Sequence, residues 1–247
     1  MRRARLSSWR FWLITLAALV GMAATLSLAR WQLSRAAQKE ALHGAIEARQ
    51  ALPPVGLRDV LAAPDPQALL HRRVMLRGTW LGRFTVFLDN RQMNGKQGFF
   101  VVTPLQLEGS PTVILVQRGW VQRDFEDRTH LPDIDTPAGI VSLEGRMAPP
   151  PAKLYQLSGA GTGLIRQNLD LAEFGAETRL PLLGGSVLQT GVASGGLERD
   201  WPEVSVGVER NYGYAFQWFG LCSLIAILYV WFQFIKPRFH RRPAHVD

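Results

Sequence analysis

The sequence predicts two transmembrane α-helices flanking a periplasmic β-rich domain, antiparallel and barrel- or sandwich-like, with a minor helix. Three observations predict this fold. Asn211 to Ile235 (NYGYAFQWFGLCSLIAILYVWFQFI) holds 25 residues without a charge, enough to span a bilayer as a helix. Phe11 to Ala29 (FWLITLAALVGMAATLSLA) is a second uncharged run, of 19 residues. The polar middle, about 180 residues and enough for one domain with a real core, breaks into short runs rich in Val, Thr and aromatics.

Charge sets the expected orientation. Arg2, Arg3, Arg5 and Arg10 precede the first span, and Lys236, Arg238, Arg241 and Arg242 follow the second. Basic residues collect on cytoplasmic flanks, so the reading is a cytoplasmic tail (1–10), a span (11–29), a periplasmic domain (30–210), a span (211–235) and a cytoplasmic tail (236–247). The tails carry +7 of the net +8. The pI of about 10.3 therefore reflects membrane flanks, which suit anionic lipid heads, and nucleic-acid binding is excluded because the middle keeps no basic patch. Ser27-Leu28-Ala29 fits a signal-peptide cleavage pattern, but 19 apolar residues exceed the usual hydrophobic core of about 7–15, which favours a retained span. The only cysteine, Cys222, lies inside the second span. The exported domain must hold without disulfides, and a periplasmic copper carrier would need paired soft ligands at short spacing.

Along the middle, Trp31 to Gln50 is rich in Ala, Gln, Glu, Lys and Arg and extends the first helix out of the membrane until Pro53-Pro54, where the missing N–H ends it. Val74–Trp80, Thr85–Leu88, Phe99–Leu107, Val113–Val121 and Ile140–Arg146 read as strands. Asn94-Gly95, inside Asp89 to Gln97, is a hairpin turn signal. Gly163–Asp170 and Ser186–Thr190 read as further strands separated by a turn or helix at Leu171–Gly175. Many short strands point to an antiparallel sheet closing into a barrel or sandwich.

Catalytic chemistry finds no footing. Glu40-x-x-His43 has the spacing of half a di-iron carboxylate site, yet no second copy exists for a facing helix. His130, Asp133 and Asp135 sit in a Pro-containing acidic loop, ordinary turn chemistry. Gly159, Gly161 and Gly163 (GAGTG) lack the G-x-G-x-x-G spacing and any following Lys-Ser/Thr. No serine occupies a G-x-S-x-G elbow. The expectation is no catalytic residue and no resident metal site.

The remaining motifs carry a resemblance. Trp31-Gln32-Leu33-x-Arg35-x3-Lys39, Gly98-x3-Val102-Thr103-Pro104-Leu105, Val116-x-Arg118-Gly119-Trp120-Val121, Gly145-Arg146 and Gly213-Tyr214-Ala215-x2-Trp218-Phe219 resemble the Surf1/Shy1 family over nearly the whole chain, in the family's order. The resemblance implies a non-enzymatic assembly factor for haem-copper (cytochrome c) oxidase, active where haem a is delivered to and inserted into the catalytic subunit. Haem a is the implied transient cofactor, and the catalytic subunit and the haem a synthase are the implied partners.

On that footing Asn211, Tyr214, Gln217 and Trp218 are the candidate haem a lip. Trp31, Gln32, Arg35, Arg118, Gly119 and Trp120 are candidate partner contacts. Two positions depart from the family pattern. Ala29 stands where Gly is usual, and Asn211 stands where haem-binding members carry a His, four residues before the Ala of Tyr-Ala. An amide is a poor iron ligand beside an imidazole. Structural readings stand beside these: Trp31, Tyr214 and Trp218 suit an interfacial aromatic belt, Arg35 and Lys39 suit lipid phosphates, and Arg118-Gly119-Trp120 suits a hairpin corner. Gln217, polar within a span, calls for protein or a cavity. The alternative function is a membrane-tethered periplasmic scaffold that binds oxidase subunits without haem.

Overall fold

The structure is a computed structural model that describes residues 9–63, 65–124, 126–127, 131–155, 163–201 and 207–239. In chain order these form α1 (Trp9–Ala51), β1 (Val55–Gly56), α2 (Leu57–Ala62), β2 (Arg73–Trp80), β3 (Val86–Met93) and β4 (Lys96–Leu107). They continue with β5 (Val113–Gln122), β6 (Ile140–Ala148), β7 (Ile165–Arg166), α3 (Leu171–Thr178), β8 (Leu182–Gln189), α4 (Val208–Val230) and α5 (Lys236–Phe239). The chain divides into two compact units, one within residues 1–45 and 204–247 and the other within 46–203.

The first unit is built on α1 and α4, two helices long and apolar enough to cross a membrane. Almost none of their apolar surface is buried, which suits lipid and not a soluble core. They meet along a seam of small residues. Thr25, Ala29 and Ala36 of α1 and Ala215 of α4 are buried, Gly21 leaves room for Ile225 Cδ1 at 3.4 Å from where a Cβ would sit, and the Thr15 and Tyr229 hydroxyls bond at 2.9 Å. The Cys222 thiol points to the Met22 carbonyl at 3.7 Å. Positions 15, 22, 29 and 36 recur every seventh residue, the period of a coiled-coil seam, and small residues let helices in lipid approach closely enough for dispersion to hold them. Ala29 suits that contact because its methyl is little larger than the glycine hydrogen. A π-turn at Trp231–Ile235 separates α4 from α5.

The second unit is an eight-stranded sheet in the order β1-β2-β6-β8-β5-β4-β3-β7. It curls until the end of β4 also pairs with β2, Gly78 opposite Leu107 and Trp80 opposite Leu105. It is barrel-like but not a closed barrel, since β2 meets β4 over only three residue pairs while the first half of β4 pairs with β3 and leads on to β7, and it is not purely antiparallel. β1–β2, β3–β7 and β5–β8 run parallel, the last because the chain between β5 and β8 crosses over through β6, β7 and α3. Expected strands mostly stand, with altered ends. β3 runs past Leu88 to Met93 through an irregularity at Asn90 (φ 61°). The hairpin then turns at Asn94 (φ 50°) and Gly95 (φ 76°), the two left-handed residues of a type I′ turn. The strand expected over 163–170 shrinks to Ile165–Arg166, because Asp170 instead caps α3, accepting from the Ala172 and Glu173 amides. α3 extends three residues beyond the expected turn and lays Phe174 against Leu88, Val102 and Leu115.

Inside the curl, alternate side chains of β2, β4, β5, β6 and β8 pack Val74, Leu76, Leu105, Ile114, Val116, Leu143 and Val187 into the main core. Two family-type motifs meet on its flank. Trp120 is 1 % exposed, its indole donates to the Arg91 carbonyl at 3.0 Å, and its ring lies over Gly98, where a Cβ would come within 2.6 Å of the ring and 2.1 Å of the Val121 carbonyl. Gly119 admits the neighbouring segment just as closely: a Cβ there would meet the Glu198 carbonyl at 2.7 Å, across the bridge between Trp120 and Glu198.

Candidate functional site

The helical unit carries an open groove of about 820 Å³ where the seam ends. From α1 it takes Trp31, Gln32, Arg35 and Lys39; from α4 and its approach, Glu209, Arg210, Asn211 and Tyr214. Helical periodicity accounts for the first set, since 32, 35 and 39 follow one another at three and four residues and so share a face. The same face carries Ala29 and Ala36 of the seam.

Asn211 is the centre of the groove. Its Oδ1 accepts from Lys39 Nζ at 2.8 Å, and its Nδ2 donates to Gln32 Oε1 at 2.6 Å. Both ends of the amide are therefore used in clasping α1 to α4. Among the described lining residues, Arg35, Lys39 and Arg210 stand against a single carboxylate, Glu209, so the groove favours an anion. Nearby, Tyr212 donates to Glu40 Oε1 at 2.9 Å, a second tie between the helices and the role the structure gives the Glu40 of Glu40-x-x-His43. Trp31 and Tyr214 remain 56 % and 53 % exposed and offer flat apolar faces beside the cations.

Such a lining can receive a planar group bearing carboxylates: aromatic faces for the plane, guanidinium and ammonium donors for the acids. It does not fit iron ligation. Asn211 stands with both amide ends engaged, and no imidazole, thiolate or thioether lies among the described residues that line the groove. Gln217 and Trp218 lie further along α4 and outside this lining; Gln217 is exposed on the helix surface.

Arg118, Gly119 and Trp120 of the sheet unit, which suit either partner contacts or a structural corner from sequence, lie inside the fold. Arg118 and Trp120 are 6 % and 1 % exposed, and Gly119 lies under Leu197 and Glu198. Their pattern reports packing: a buried indole, a close approach, and a guanidinium stacked 4.7 Å from the centre of the Trp80 ring. Arg118 Nη1 donates to Thr136 Oγ1 at 2.9 Å and Nη2 to the Asp135 carbonyl at 2.7 Å. Gly145 likewise belongs to packing, a Cβ there falling 2.3 Å from Val187 Cγ1. Asp135 thus serves Arg118 through its backbone, Asp133 is exposed, and His130 lies outside the described residues, as do Gly159 and Gly161. Among the described residues no three His, Cys, Asp or Glu side chains come together as a metal site.

The residues missed from sequence are Lys39 as a partner of Asn211, and Glu209 and Arg210 as lining. The seven-residue step from Gln32 to Lys39, on the face marked by Ala29 and Ala36, was the available signal.

The model of the SURF1 family matches residues 19–223. A SURF1-like protein of Rickettsia felis is 24 % identical over 229 residues, 87 % of this chain and 94 % of that protein. An uncharacterized SURF1-like protein of Mycobacterium bovis is 34 % identical over 126 residues, 49 % of this chain and 44 % of its own. The cytochrome oxidase assembly protein SHY1 of Saccharomyces cerevisiae is 28 % identical over 97 residues, 39 % of this chain and 25 % of its own. The chain thus spans a quarter of the yeast protein and under half of the mycobacterial one.

Proposed function

This chain belongs to the SURF1 family, and we propose that it is a non-enzymatic assembly factor for a haem-copper (cytochrome c) oxidase, working where haem a is delivered to and inserted into the catalytic subunit. The observation that carries the reading is the cationic, aromatic groove at the end of the helix seam, in a chain related to a yeast protein of cytochrome oxidase assembly. In this reading the helices sit in a bacterial inner membrane with both termini cytoplasmic and the sheet in the periplasm, as the basic flanks favour. Membrane lipids, the catalytic subunit and the haem a synthase are the partners. Trp31 and Tyr214 meet the flat face of the cargo, and Arg35, Lys39 and Arg210 meet its carboxylates.

The clasped amide of Asn211 favours a second reading, a tethered scaffold that holds oxidase subunits without binding haem. One experiment separates the two. The full chain is co-expressed with a haem a synthase, purified, and its visible spectrum recorded. Retained haem a that is lost on Arg35→Ala/Lys39→Ala supports contact through the groove, whereas a colourless protein leaves the scaffold. The oxidase role itself is tested by deleting the gene: an oxidase with unchanged haem a content and activity overturns it.

A further inference from the structure

Independently of the groove, the sheet unit ends its core in a polar layer. Inward positions of β5 run Ile114, Val116, Arg118, and those of β8 run Val187, Gln189, while β2 ends inward at Trp80 and β6 at Val141. Apolar layers thus give way, at the mouth of the curl, to a guanidinium and an amide. A cavity of about 270 Å³ opens there, lined by Trp80, Arg118, Val141, Leu143, Gln189 and Arg199 among others. The mouth of a barrel-like sheet is a recurrent place for a ligand.

Two buried groups in this layer are unsatisfied among the described residues. Arg118 Nε has no acceptor there and Gln189 Oε1 no donor, although buried polar atoms are nearly always paired. Arg118 is more than nine-tenths buried, and its Nη groups donate to a hydroxyl and a backbone carbonyl, both neutral. Arg199 adds a second guanidinium, held by the Arg118 and Val192 carbonyls and Ser194 Oγ. Among the described residues of the lining, Asp135 is the one carboxylate. Burial foremost, and then Arg199, push the Arg118 guanidinium toward losing its proton, with Asp135 opposing. Two cations against one anion leave a place for one more negative charge, and a partner for the Gln189 oxygen must itself donate.

We propose that this mouth binds a small organic carboxylate that carries a neighbouring hydroxyl, its carboxylate beside Arg118 and Arg199 and its hydroxyl donating to Gln189 Oε1. The ring of Trp80 forms one wall. The cavity volume limits the ligand to a small molecule.

The test uses this whole chain in detergent. Its thermal midpoint is followed in lactate, in propionate and in chloride at equal ionic strength. Lactate at ten times its dissociation constant raises the midpoint roughly 3–6 °C; propionate, lacking the hydroxyl, raises it less, and chloride not at all. Gln189→Glu supplies the missing charge from within: the midpoint rises without ligand and the lactate response disappears. Arg118→Lys keeps the charge but loses the fork, and the response falls while circular dichroism stays native. A wild-type response to lactate no greater than to chloride overturns the proposal, as does an undiminished response in Gln189→Glu.

Discussion

Gly98→Ala tests how the two sheet motifs depend on each other. A methyl at position 98 would sit 2.1 Å from the Val121 carbonyl and 2.6 Å from two atoms of the Trp120 ring. The ring can turn only by giving up its hydrogen bond to the Arg91 carbonyl, worth about 1 kcal/mol. The carbonyl cannot turn, because Val121 is paired across the ladder to Phe99, and forcing a methyl into a filled core costs about 1–3 kcal/mol. Together these give about 2–4 kcal/mol. For a unit of this size that lowers the melting midpoint by roughly 4–16 °C, read by tryptophan fluorescence of the purified chain. Trp120→Leu in the same chain relieves the ring contact but not the carbonyl contact, so the double variant should be less destabilised than the two single effects added. A Gly98→Ala protein melting within a degree of the parent, or strict additivity in the double variant, would refute the packing argument.

Three further outcomes follow from the helices and the loops. Tyr229→Phe removes the Thr15–Tyr229 bond and should weaken the helix pair by about 0.6 kcal/mol, measured as a shift in detergent-induced unfolding. Asn211→His should gain little haem a on its own, because Lys39 would still donate to the acceptor nitrogen; Asn211→His/Lys39→Met should gain more in the visible spectrum of co-expressed protein. His71 is held below its ordinary value of 6.5 by burial, with Arg146 and Arg49 adding to it. The unfolded chain therefore takes up the proton first, so this stability is whole above about pH 6.5 and drains as pH falls toward the lowered folded value; His71→Gln should flatten that segment of a pH–stability curve.

How far the sequence discloses the molecule depends on the range of each interaction. The spans are legible because hydropathy is a property of one continuous run. So are most strands, since Val, Ile and aromatic runs favour a pleated, half-buried surface, and the turn at Asn94-Gly95, where two adjacent residues supply the left-handed conformation. The strand order is not legible. β5 pairs with β8 some seventy positions later, in parallel, and nothing local at Leu115 or Ser186 specifies that crossover. Arg118 is only half legible for a related reason: its motif suits either a partner contact or a structural corner, and nothing local places it on the inward phase set by Ile114 and Val116. Trp80 and Thr136, which stabilise it there, lie on distant segments.

Asn211 shows the same limit at the groove and what it implies for the site. Against the His that the family resemblance implies for this position, its amide reads as the loss of a ligand. In space it is a gain, since one side chain both donates to Gln32 and accepts from Lys39, two groups a seven-residue step apart on α1. In a bilayer the helix pair has no hydrophobic drive to associate and relies on close packing and such bonds. The seam of small residues and the clasp therefore act together, the first allowing approach and the second fixing register at its end. A neutral imidazole could make the same two bonds only by surrendering the nitrogen that would face iron. Under the haem a proposal, structural registration and metal ligation would compete for this one position, and in this chain Asn211 serves registration.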